Sequence, residues 1–250
     1  MLKYINRAAV LAILCLIASN CVQPGRSEKE TSGRIDPPCV FSIPQKEILT
    51  YKGIDSVLNL FEKVTFKNLD TSYKNYSDPD QKFVKKLATS TYYVVQGEQV
   101  FLPLVGKYRV KDFIVPDKYY QKNMKNLCSN NKQYFLTDKK ILYMMLDLIK
   151  LLDKKGYNKY GFDIRVGHRH PYWNKKVWSG ARFSQHIYGK AVDIKIRDIN
   201  KDRRETQKDK KIVLDLLEKI VNNKGGIGKY PKTMNVHFDS RGFKARWDHQ

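Results

Sequence analysis

Apolar and polar residues alternate most regularly toward the C-terminal end of the chain. Between Lys190 and Arg197, Val192, Ile194 and Ile196 fall on one side and Ala191, Asp193 and Lys195 on the other. This period of two predicts a half-buried strand after Gly189. Asn235 to Asp239 alternates as well, with Val236 and Phe238 inward and Asn235, His237 and Asp239 outward. Helical spacing precedes each strand. Over 137–155, Ile141, Leu142, Met145, Leu148, Ile149 and Leu152 share one face, with Thr137 as expected N-cap and Gly156 after a basic last turn. Over 206–223 the inward residues are Ile212, Val213, Leu216, Leu217 and Ile220, and a glycine turn follows at 225–228. Phe162 to Val166 reads as a further strand. Together these elements predict an α+β fold. A small, mainly antiparallel sheet holds the polar chemistry on one face, and the two helices lie against the other.

The N-terminal third is patterned more weakly. Val57, Leu58, Leu60, Phe61 and Val64 suggest a short amphipathic helix over 54–64, and 73–81 reads as loop. Runs at 92–95 and 99–102 on either side of Gly97 suggest a hairpin. The first residues read as a targeting segment: Lys3 and Arg7 precede an apolar stretch, 8–18, too short to span a bilayer. Ile17-Ala18-Ser19-Asn20-Cys21 resembles a bacterial lipobox, which implies acylation of Cys21 and a membrane anchor. Asn20 and Ala18 depart from its strictest form, so a simple cleaved signal is the other reading. Pro24, Gly25, Gly33, Pro37 and Pro38 mark a flexible tether. The expected organisation is leader 1–21, tether 22–42, an N-terminal region 43–104 with no assigned role, and a chemistry-bearing domain 105–250.

Charge narrows the partners. The chain carries 47 Lys and Arg against 25 Asp and Glu, a net charge of +22. Such a protein is drawn to polyanions. The basic residues are dispersed rather than gathered into a stripe, and an exported chain is kept from nucleic acid. Cell-wall polymers, anionic lipid headgroups and acidic peptides are the expected partners. Of the four cysteines, Cys15 leaves with the leader and Cys21 takes the lipid. Cys39 and Cys128 remain, as one disulfide or as two thiols. The absence of Cys-x-x-Cys speaks against a thiolate zinc site. Gly228-Lys229-Tyr230 lacks the Ser or Thr of a phosphate-binding loop.

His186, Asp193 and His237 carry the sharpest candidate chemistry. Two imidazoles and a carboxylate suit a three-ligand zinc site with one open position, whereas a structural zinc is usually closed by four ligands, mostly Cys. Gly189 allows the loop before the strand to fold back and carry His186 toward Asp193.

Ser184-Gln185-His186-Ile187-Tyr188-Gly189-Lys190-Ala191-Val192-Asp193 resembles the Ser-x-His-x-x-Gly-x-Ala-x-Asp signature of a zinc peptidase family. The family comprises D-alanyl-D-alanine carboxypeptidases and murein endopeptidases, with the fold shared by hedgehog signalling domains. Further pieces follow in the same order. Val166 to Asn174 is similar to the family's Ser-Gly-Tyr-Arg-Ser-Pro-x-Tyr-Asn, Gly226 to Pro231 and Val236 to Gly242 to its closing strand, and Ala245-Arg246-Trp247 to its tail. The resemblance is closest to the murein endopeptidase branch. It implies His186, Asp193 and His237 as Zn2+ ligands, Arg169 as a binder of the substrate's carboxylate or backbone, and peptidoglycan stem peptides as substrate. Carboxypeptidase and endopeptidase activities both remain open.

The chain departs from the family at the general base. Members carry Asp or Glu three residues before the final His, where this chain has Met234. Asp239 is the nearest carboxylate, either as base or as a group orienting His237, and His170 is the next candidate base. His168 and His170 flank Arg169 near the expected cleft, and Trp173 and Trp178 are expected to pack the loop. Two other classes compete. One is a zinc-holding cell-wall binding module without turnover. The other is a non-haem iron oxygenase using His237-Phe238-Asp239, which needs a further histidine and finds only His249 downstream.

Overall fold

The computed structural model describes residues 46–176 and 180–248. The leader, the tether, Cys21, Cys39, Trp178 and His249 lie outside the described residues. Among those described, no helix is long and apolar enough to cross a membrane. Cys128 is disulfide-bonded.

The elements, in order, begin with α1 (Tyr51–Leu58), β1 (Glu62–Thr65), α2 (Thr71–Ser77), α3 (Val84–Leu87), β2 (Thr91–Gln96), β3 (Pro103–Val105) and β4 (Tyr108–Arg109). Next come α4 (Lys118–Lys125), β5 (Lys132–Leu136), α5 (Lys139–Lys154), β6 (Phe162–Val166) and α6 (Pro171–Lys176). The chain continues through β7 (Ala191–Ile196), α7 (Gln207–Val221), β8 (Gly226–Lys229), β9 (Asn235–Asp239) and β10 (Ala245–Asp248). A five-stranded sheet runs β10-β8-β9-β7-β6, antiparallel except for the β10–β8 pair. A three-stranded antiparallel sheet runs β1-β2-β5. The α+β expectation holds.

The two long helices form as their spacing predicts. Asp138, one residue after the expected Thr137, caps α5 by accepting from Lys140 N. Gly156 follows its last turn at φ +76°, the left-handed conformation that glycine adopts without strain. In α7, Thr206 and Asp209 form a capping box, and Asp209 Oδ1 also accepts from Ile199 N and Asn200 N. One carboxylate thereby ties the helix start to the loop leaving β7. The helix packs against β7, β8 and β9 and alongside α5. Ile194, Ile196, Val236 and Phe238 are fully buried beneath it. Each such side chain contributes about 1.5–3 kcal/mol through burial. The same core takes Ile54, Leu58, Phe61, Val95 and Val100, so residues before position 104 and after it share one apolar interior.

Three local expectations are corrected. The helix expected over 54–64 ends at Leu58, and Val64 belongs to β1, where it pairs with Tyr92. Residues 73–81, expected as loop, begin inside α2, whose Tyr73 is buried in a second apolar cluster with Phe66, Leu69 and Leu87. The hairpin at Gly97 does not form. β2 pairs with β1 and β5, and Gly97–Phe101 is a 3-10 turn. Gly97 sits at φ +50° with the Leu127 carbonyl 2.2 Å from where a Cβ would lie, so a close backbone approach uses the glycine instead.

Candidate metal centre

β7 and β9 run antiparallel with Asp193 directly opposite His237. Because both strands bury their apolar side under α7, these two polar residues necessarily share the other face. The third residue arrives from a loop. Gln185–Tyr188 forms a 3-10 turn closed by Gly189 at φ +63°. A Cβ at Gly189 would stand 2.4 Å from the Leu136 carbonyl oxygen, so the loop can pass β5 only with glycine there. The backbone of Arg169 donates to the His186 carbonyl at 3.1 Å, which stitches this turn to the loop after β6.

Three donor atoms converge. His186 Nε2 lies 3.2 Å from His237 Nδ1 and 3.3 Å from Asp193 Oδ1, and the latter two are 2.8 Å apart. Donors bound tetrahedrally at zinc distances stand about 3.4 Å from one another. The trio therefore fits a metal ion with shifts of a few tenths of an ångström. All three residues are buried. Each imidazole also has its other nitrogen held: His186 Nδ1 donates to the Gly167 carbonyl at 2.7 Å, and His237 Nε2 to Asp239 Oδ2 at 3.0 Å. Such partners fix the tautomer that leaves the facing nitrogen free for a metal.

The electrostatics without an ion follow from this crowding. Burial pushes His186 below its ordinary value. Burial also opposes charging His237, but its hydrogen bonds to Asp193 and Asp239 outweigh that and hold it above its ordinary value. Asp193 resists burial's upward push and stays well below the usual carboxylate range through His186 and His237.

Asp239 stands behind the centre rather than in it. It is fully buried, and burial's upward push is overcome by His237 and Arg241, so it stays ionised below the usual carboxylate range. Oδ1 accepts from Gly226 N at 3.0 Å, and Arg241 donates Nε to Oδ1 at 2.8 Å and Nη2 to Oδ2 at 2.6 Å. A carboxylate so occupied has no lone pair turned toward substrate. Of the two roles open to Asp239, these contacts fit the orienting one, since His237, Arg241 and Gly226 engage both of its oxygens. The iron scheme fails on the same contact: Asp239 holds the far nitrogen of His237, and Phe238 is in the core.

Arg169, expected to meet substrate, donates Nη2 to Asp193 Oδ2 at 2.6 Å and is itself buried. It steadies the oxygen that faces away from the donor cluster. His170 does not line the cleft. Its Nδ1 accepts from Trp173 N at 3.3 Å, and its Nε2 lies 3.2 Å from Asp117 Oδ2. His168 is buried against Tyr92.

A cleft of about 620 Å³ opens onto the centre. Its lining combines His186, Asp193 and His237 with Arg165, Arg169 and Arg241, the aromatic Tyr230 and Trp247, and polar Gln185 and Asn235. Asp193 is the one carboxylate among these described lining residues. Trp247, on β10, reaches His237 by lying across Gly228 of β8, with ring centroids 5.1 Å apart. Arg165, Arg241, Tyr230 and Trp247 were not singled out from the sequence. Only Arg241 left a periodic signal, since His237, Asp239 and Arg241 continue one i, i+2, i+4 side.

Residues 118–239, from the start of α4 to the end of β9, match the family model described as Peptidase M15. No curated protein and no solved structure gives a significant match to the chain.

Proposed function

We propose that the protein is a zinc-dependent peptidase of the Peptidase M15 family, whose model matches residues 118–239, and that it cuts peptide bonds in peptidoglycan stem peptides. The observation that carries this reading is the convergence of His186 Nε2, Asp193 Oδ1 and His237 Nδ1 at 2.8–3.3 Å on the floor of an open cleft. His186, Asp193 and His237 would hold the ion. Zinc so held supplies Lewis acidity, which makes water nucleophilic near neutral pH and polarises a carbonyl.

The chain's own residues do the rest. Asp239, backed by Arg241, keeps the His237 Nε2 proton in place and its Nδ1 directed inward. Arg169 keeps Asp193 Oδ2 engaged, so that Oδ1 remains the inward oxygen. Trp247 and Phe183 give the cleft an apolar rim against which a peptide can lie. The hedgehog/DD-peptidase arrangement and export with a lipid anchor at Cys21 belong to the same proposal. Export would put the centre beside the cell wall.

One observation favours a second reading, a zinc-holding cell-wall binding module. Apart from Asp193, no carboxylate among the described residues lines the cleft to accept a proton from water. Muropeptide digestion read by mass spectrometry, with and without a chelator, separates the two. Cleavage that a chelator abolishes and zinc restores supports the peptidase, and names the bond. Stoichiometric zinc with intact muropeptides selects the binding module.

A further inference from the structure

Three arginines line the cleft, but they are not equivalent. Arg169 is buried and committed to Asp193 Oδ2 at 2.6 Å. Arg241 is committed to both oxygens of Asp239 and lies over the Trp247 ring at 4.8 Å. Arg165 is exposed and makes no hydrogen bond, ion pair or ring contact within the described structure.

Its placement follows from the strand. On β6, Phe162 faces the core opposite Ile196, and Asp163 pairs with Lys195 on the side that carries Asp193. The register slips between Ile164 and Val166, and Val166 then faces Asp193. Arg165 sits at that irregularity, where a bulge re-aims a side chain, and it lines the cleft beside the donor cluster. The remaining lining offers no carboxylate to neutralise it, because Asp193 is already paired. An uncommitted guanidinium in an otherwise cationic cleft suits a carboxylate, which its planar fork binds through both oxygens.

We propose that Arg165 is the specificity-determining residue of the cleft, pairing with a free carboxylate on the bound peptide so that acidic peptides are the preferred substrates. This rests on the peptidase reading for turnover, but not for binding. On this reading Arg169, held on Asp193 Oδ2, positions a metal-site carboxylate, and the substrate-reading role expected of it falls to Arg165.

The test uses the zinc-loaded protein and a matched pair of stem-like peptides, one with a free side-chain or terminal carboxylate near the scissile bond and one with that group amidated. Wild type is expected to favour the acid about tenfold in kcat/KM, the size appropriate to an exposed charge-assisted pair. Arg165→Ala should bring the acid-to-amide ratio close to one, chiefly through KM, and Arg165→Glu should invert it. An unchanged ratio in both variants overturns the proposal. If wild type cleaves neither peptide, the peptidase reading fails, and calorimetry on the uncleaved pair decides the proposal alone. Tighter binding of the acid by wild type but not by Arg165→Ala supports it, and equal binding of acid and amide by wild type overturns it.

Discussion

Asp239 Oδ2 accepts the Nε2 proton of His237 at 3.0 Å, on the side of the ring opposite Asp193. The imidazole is thus gripped at both nitrogens, and only the Asp193 side can face a metal. Asp239→Asn should lower zinc affinity by about 10–100-fold, the usual scale for losing a carboxylate behind a histidine ligand. Arg241→Ala should act in the same direction by about tenfold, because it releases Asp239 rather than His237. Chelator competition on the purified variants measures both. Turnover by Asp239→Asn at saturating zinc should survive. Lost turnover at unchanged affinity would return the base role to Asp239.

Arg169 and Asp193 form a buried pair, with side chains 8% exposed on each partner. Removing one member leaves the other charge without its compensation. Arg169→Ala should destabilise the metal-free protein by about 3 kcal/mol, read from its urea midpoint. Zinc should recover part of the loss, since the ion supplies positive charge on the opposite oxygen. Arg169→Lys should fall between, keeping the charge without the planar fork. A midpoint that does not move in Arg169→Ala would show that water already screens Asp193.

Why some of this was legible in the sequence is a matter of periodicity. In 190–197 and 235–239 the apolar residues keep to alternate positions, so the polar ones between them had to share a face, and Asp193 opposite His237 follows. The helices over 139–154 and 207–221 announce themselves through unbroken apolar stripes and local caps. Tyr73 and Val64 failed to signal their elements because the partners that bury them lie far along the chain. Arg165 and Tyr230 reach the cleft through a register slip and a loop, which leave no period to read. The role of Asp239 turned on which side of His237 it touches, a question of rotamer rather than pattern.

His168 offers a pH test away from the donor cluster. Its ring is buried, its Nε2 has no hydrogen-bond partner, and burial pushes its pKa from 6.5 down to about 3. The folded state therefore keeps the imidazole neutral while the unfolded chain takes up a proton below 6.5. The stabilisation is whole above that pH and is lost as pH falls toward 3. By pH 4 the loss should amount to about 3 kcal/mol. His186 is shifted in the same direction and His237 in the opposite one, so wild type alone does not isolate the effect. The difference in unfolding free energy between wild type and His168→Phe, followed from pH 7 to pH 4, does. A pH-independent difference would mean that the ring stays hydrated.

Gly228 gives the last test, because it shapes the cleft through Trp247 and supplies no donor atom of its own. It pairs with His237 on one side and Trp247 on the other, and a Cβ there would stand 2.7 Å from the indole. That contact involves rigid ring atoms, so the indole must lift away from the sheet. Gly228→Ala should cost about 1–3 kcal/mol, the usual range for overpacking. It should also perturb His237, whose ring is 5.1 Å from Trp247. In a Trp247→Ala background the same glycine substitution should cost almost nothing, since the clash has been removed. A double-mutant cycle on unfolding free energies therefore expects strong coupling between the two positions. Additive costs would mean that β8 accepts the methyl group by shifting its backbone, with Trp247 left in place.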